Sequence, residues 1–77
     1  MSDVLRSLFA EVLEVDIARL NEESSPETLR EWDSLKAMQL VSAIEEKFKI
    51  RLSTKEIMKM TTIGLARKTI RSKNVEV

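Results

Sequence analysis

Apolar positions recur along the chain at helical spacing. In the first segment, Leu5, Leu8, Phe9, Val12 and Leu13 follow the i, i+3, i+4, i+7, i+8 rule of a helix with one buried face. Ser2 or Asp3 is placed to cap its first turn. Glu11 and Glu14 fall late in it, where the helix dipole disfavours acids, so no stabilising role is expected of them. A second stripe runs through Ala37, Val41, Ile44 and Phe48, widened by Leu35, Met38 and Leu40. Ser53-Thr54-Lys55-Glu56 is a capping box that opens a short third helix with Ile57 and Met60 inward. Thr61 or Thr62 caps a fourth, in which Ile63, Ala66 and Ile70 face the core; Lys68, Arg71 and Lys73 suit its C-terminal end.

Between the first two stripes lies a long connection, residues 16–33. Ile17, Leu20 and Leu29 are its expected anchors, and Ser25-Pro26-Glu27 reads as one capped turn. Connections of this length without structure of their own are uncommon and often functional. No strand-like alternation and no repeat interrupts the pattern. The expected fold is all-α: a four-helix bundle with a long first loop and a short third helix. One domain spans residues 1–77, with residues 72–77 expected to fray.

Composition narrows the chemistry. With 77 residues the core is modest. The chain has no Cys and no His, which removes disulfides, thiol chemistry, the usual zinc ligands and the commonest general base. No catalytic residue and no metal site is expected. No apolar run is long enough to span a bilayer and Met-Ser-Asp opens no signal peptide, so a cytoplasmic, stand-alone, monomeric protein is expected. The net charge of zero hides a split: residues 1–46 hold 4 basic and 11 acidic side chains, residues 47–77 hold 9 basic and 2 acidic. Either the opposite charges meet in the fold, or two faces meet different partners. Lys55, Lys59, Arg67, Lys68 and Arg71 read as a solvated face.

At the start of the second stripe stands Trp32-Asp33-Ser34-Leu35. Asp and Ser are both favoured N-caps, and Trp32 is placed as a staple over the first turn. A Ser here has its hydroxyl beside unpaired N–H groups and the positive end of the dipole, which would stabilise a phosphate ester. A serine hydrolase is excluded, because no His exists to take the proton.

The stretch "EWDSLKAMQLVSAIEEKFKIRLS", with the helices and loop around it, resembles the phosphopantetheine-attachment region of acyl carrier proteins and peptidyl carrier domains. The resemblance covers nearly the whole chain. It implies a non-catalytic carrier in which Ser34 bears 4′-phosphopantetheine through a phosphodiester, with Asp33 and Leu35 supporting the attachment motif. A phosphopantetheinyl transferase adds the group from coenzyme A. Acyl- or aminoacyl-loading ligases or transferases and downstream acyl-transfer enzymes then use its thiol. Lys36 and Gln39 stand where many relatives carry acids that dock on basic partners; Glu45 and Glu46 remain. Trp32, Lys36, Gln39, Glu45 and Glu46 are the candidate partner contacts. Trp32 is alternatively a packing residue, Leu35 is core or an exposed contact, and Lys36 is a solvated residue or a contact for phosphate. Met38, Val41, Ile57, Met60 and Ile63 are core, or the lining of a cargo pocket. Trp-Asp-Ser-Leu is most similar to carriers of specialised pathways: polyketide, nonribosomal peptide, or surface polysaccharide or lipid synthesis. Against the carrier stand a nucleic-acid-binding module, suggested by the basic second half and opposed by the acidic first half and the lack of aromatic residues among those basic positions, and an interaction domain in which Ser34 only caps a helix or is a regulatory phosphorylation site.

Overall fold

The computed structural model describes residues 3–77. Four helices form the bundle: α1 (Val4–Leu13), α2 (Ser34–Phe48), α3 (Thr54–Lys59) and α4 (Ile63–Arg71). The core is built from the predicted stripes. Leu5, Phe9 and Leu13 of α1 meet Leu40 and Ile44 of α2 and Ile63, Ala66 and Ile70 of α4, all buried. Ile63, Ala66 and Ile70 are fully inaccessible.

Each helix begins at a side-chain cap that accepts a backbone N–H left unpaired by the helix itself. Asp3 accepts from Arg6, Asp33 from Lys36, Ser53 from Glu56 and Thr62 from Leu65. The Ser53–Glu56 capping box forms in both directions. Ser2, the alternative cap of α1, lies outside the described residues. Helices α1 and α2 end on left-handed residues, Glu14 (φ 58°) and Lys49 (φ 54°), whose N–H groups return to the Ala10 and Glu45 carbonyls.

The long connection is ordered by its own hydrogen bonds. Ser25 and Thr28 close the turn expected at Pro26, with the Thr28 and Leu29 N–H groups both donating to the Ser25 carbonyl. Leu20 and Leu29 are buried anchors; Ile17 is not. It is 38% exposed and starts a single 3₁₀ turn, Ile17–Arg19, capped by Asp16. The loop also supplies what α4 lacks: the Ile63 and Gly64 N–H groups donate to the Ser24 and Glu22 carbonyls. Glycine suits that approach, since a Cβ on residue 64 would lie a tight 3.1 Å from the Glu22 oxygen.

Charge also ties the loop down. Arg67 donates to Glu22 and Asp3 at 2.7 Å each and is mostly buried, so it is a cross-link between α4, the loop and α1 and not part of a solvated face. Here the acidic and basic halves of the sequence meet. Lys55, Lys59, Lys68 and Arg71 are exposed, as expected. Within residues 72–77, Val75 and Val77 pack against the core, and the Arg71 guanidinium donates to the Val77 carbonyl.

Candidate functional site

Ser34 is the first residue of α2, and it stays exposed because Asp33 takes the cap. The Asp33 carboxylate accepts the Lys36 N–H at 2.9 Å, and its carbonyl accepts the Ala37 N–H. The N–H groups of Ser34 and Leu35 and the Ser34 hydroxyl have no hydrogen-bond partner among the described residues. Two tasks open to either of these adjacent cap-forming residues are therefore separated. Asp33 holds the helix end, and Ser34 presents a free oxygen beside unpaired donors.

Trp32 sets the position of this helix end from below. It is 4% exposed and stacks edge-to-face on Phe9, with ring centroids 5.3 Å apart. It packs in the core and, so buried, offers a partner little surface. Lys36 is engaged elsewhere. Its amine turns away from Ser34, donating to the Val12 carbonyl at 3.2 Å and pairing with Glu14 at 3.1 Å. So placed, the amine is engaged by the end of α1. Glu14, from which no stabilising role was expected, is its counter-ion at the end of α1.

The outer face of α2 carries Ser34, Leu35, Met38 and Gln39, all exposed. Leu35 is 63% and Met38 70% accessible. The geometry is that of the helix: Met38 follows Ser34 by four residues and shares its face, while Leu40 and Ile44 point inward. Met38 thus belongs neither to the core nor to a cargo pocket. Further along, Glu46 is exposed, but the Glu45 carboxylate accepts the Leu52 N–H at 2.8 Å and holds the turn into α3.

Behind Ser34 is a small apolar crevice, lined by Phe9, Trp32, Ala37, Leu40 and Val41 with Ile57 of α3 and Met60 just past its end. Val41, Ile57 and Met60 are brought together there as expected. Ile63 is not among them, because it sits at the centre of the core. Sequence periodicity missed Phe9 and Trp32 as lining residues; their distance from the third helix along the chain leaves no local signal. Among the described residues no cluster of metal-ligating side chains occurs, and no helix is long and apolar enough to cross a membrane.

An exposed serine on a helix terminus, capped by its neighbour and lacking a base, is fit to bear a phosphodiester and unfit to act as a nucleophilic catalyst. Comparison with known proteins agrees. The phosphopantetheine attachment site family matches residues 3–65. An acyl carrier protein of Chlamydia caviae is 33% identical over 64 residues, covering 83% of each chain. The solution structure of a holo acyl carrier protein from Geobacter metallireducens is similar with a TM-score of 0.74, at 28% identity, over 97% of this chain and 92% of that one. The chain belongs to the phosphopantetheine attachment site family, as a non-catalytic acyl carrier protein whose cargo is held through phosphopantetheine.

Proposed function

We propose that Ser34 is the attachment residue and that its Oγ forms the phosphodiester to 4′-phosphopantetheine. The observation that carries this reading is the division between Asp33, whose carboxylate is engaged as the cap, and Ser34, whose hydroxyl is exposed and unpartnered. The unpaired N–H groups of Ser34 and Leu35 favour the ester's negative charge. When bound, the group supplies a thiol that holds cargo as a thioester. The protein's own residues do the rest: Asp33 and Lys36 fix the helix end, and Leu35 offers an apolar contact beside the attachment point. As the Oγ–P bond forms, the pyrophosphate bond of coenzyme A breaks and adenosine 3′,5′-bisphosphate leaves; the proton lost by Ser34 goes to the transferase, because no His is present and Asp33 is occupied.

The carrier works with a phosphopantetheinyl transferase, with enzymes that load an acyl or aminoacyl group, and with those that take it away, in the cytoplasm. The Trp32-Asp33-Ser34-Leu35 sequence and the absence of acids on the first turns of α2 favour a specialised pathway over bulk fatty-acid synthesis.

The test is to incubate the protein with coenzyme A and a broad-specificity phosphopantetheinyl transferase and record intact mass. A single phosphopantetheine adduct, lost in Ser34→Ala, is expected. No adduct with several transferases, or one that persists in Ser34→Ala, removes the assignment. Loading assays on the holo protein test the pathway: aminoacyl- or acyl-ligase loading is expected, and efficient malonyl loading by a fatty-acid-synthesis transferase would count against it.

A further inference from the structure

Helical carriers can in principle shelter an apolar cargo between their helices, and the crevice behind Ser34 is the place where this chain would do so. Its size is the informative quantity. The cavity volume is about 40 Å³. An apolar protein cavity that admits benzene has roughly 150 Å³, so the space here corresponds to about one or two carbon atoms. Trp32 is the bulkiest side chain in its lining: the indole is 4% exposed, packs edge-to-face on Phe9, and shares the crevice wall with Ile57 of α3 and Met60 at its end. An indole is large and has only two side-chain torsions, and this one is held edge-to-face, so moving it would forfeit its packing. The apolar side chains nearest the attachment point, Leu35 and Met38, point outward and enclose nothing.

Resting on the assignment of Ser34 as the attachment residue, we infer that Trp32 is a specificity-determining residue that closes the bundle to long acyl chains. The cargo of this protein is short or polar and is carried outside the helices, accessible to partners and to water. Long acyl groups, if attached, gain no shelter.

The experiment uses acyl-coenzyme A thioesters of two to ten carbons as donors for a broad-specificity phosphopantetheinyl transferase, so that Ser34 receives each acyl-phosphopantetheine directly. Tm and the fluorescence of Trp32, the single tryptophan of the chain, are then read for each species. In the wild-type protein, Tm is expected to stay constant across the series within about 2 °C, and the emission maximum to stay fixed. Burial of a chain would instead raise Tm by about 5 °C or more for each pair of methylenes enclosed. In Trp32→Val, which opens the crevice, Tm is expected to rise with chain length. A rise of Tm with chain length in the wild type, or an emission shift on going from acetyl to decanoyl, overturns the inference whatever the variant does. Formation of the adducts with such a rise leaves the attachment at Ser34 standing. Failure of every donor to give an adduct overturns the attachment and this inference together.

Discussion

The Lys36 amine lies 3.1 Å from the Glu14 carboxylate, and the same amine donates to the Val12 carbonyl at 3.2 Å. A lysine on the first turn of α2 thereby closes the last turn of α1, where carbonyls lack partners and a positive charge is favoured. The two contacts are unequal. Glu14 is 78% accessible on its side chain, so its ion pair is screened by water. The carbonyl contact is partly buried. Lys36→Ala is expected to cost about 1 kcal/mol, a fall in Tm of about 4–8 °C, whereas Glu14→Ala is expected to change stability by less than about 0.5 kcal/mol. Equal losses in thermal denaturation of the two variants would show that the ion pair, not the carbonyl contact, matters.

Asp33 and Ser34 should separate cleanly in experiment. Asp33→Ala removes the cap that accepts the Lys36 N–H and is expected to cost about 0.5–2 kcal/mol. Ser34→Ala removes no hydrogen bond to the described residues, so its stability should stay within about 0.5 kcal/mol of wild type while modification is abolished. Urea denaturation checks both; a Ser34→Ala loss as large as that of Asp33→Ala would mean that the serine shares the cap.

What the sequence carried legibly was whatever has a local period or a local partner. The stripes through Leu5, Phe9 and Leu13 and through Ile63, Ala66 and Ile70, the Ser53–Glu56 box and the Asp33–Ser34 pair were all readable within four or five residues. Lys36 and Arg67 were not. Each looks like a solvated charge along its own helix, and its partner is 22 to 64 residues away in sequence. Trp32 is intermediate: its apolar character announced packing, but only the fold shows that Phe9 receives it. Met38 failed for a simpler reason. Apolar content widened the stripe on paper, while the 3.6-residue turn puts Met38 on the face of Ser34.

Arg67 is the centre of the most connected ion network, and it sets an acid limit on the fold. Burial pushes the Asp3 carboxyl up, but hydrogen bonds from Arg67 and from the Arg6 N–H outweigh it and hold it below its usual 3.8. The hydrogen bond from Arg67, partly offset by burial, holds Glu22 below its usual 4.5. Both folded values lie below the unfolded ones, so this stabilisation is complete above about pH 4.5 and is lost as pH falls through the folded values. Arg67 itself is pushed upward by the two carboxylates and stays charged throughout. Arg67→Gln is expected to cost about 1–3 kcal/mol near neutral pH. The difference between wild type and variant should shrink as pH falls below 4. A difference that stays constant down to about pH 2 would show that the carboxylates do not contribute through their charge.

Exposure of Leu35 and Met38 in the absence of acids makes the face around Ser34 unusual in what it asks of a partner. An exposed leucine contributes little to folding, because its side chain remains in water before and after. Leu35→Ser and Met38→Ser are therefore expected to shift stability by less than about 0.5 kcal/mol. Binding is another matter, since a partner that covers either side chain gains its apolar area, about 1–2 kcal/mol per residue. Each substitution should then reduce kcat/KM for phosphopantetheinyl transfer by roughly 5- to 30-fold, with the effect in KM. Gln39→Ser, on the same face but already polar, is the control and should do little. The salt dependence of transfer should also be shallow, because the face from Ser34 to Ser42 presents no unpaired charge: its one charged residue, Lys36, is bound to α1. Steady-state kinetics across a salt series measures both effects. A steep loss of rate with salt, together with wild-type kinetics for Leu35→Ser, would mean that partners read charge elsewhere on the bundle.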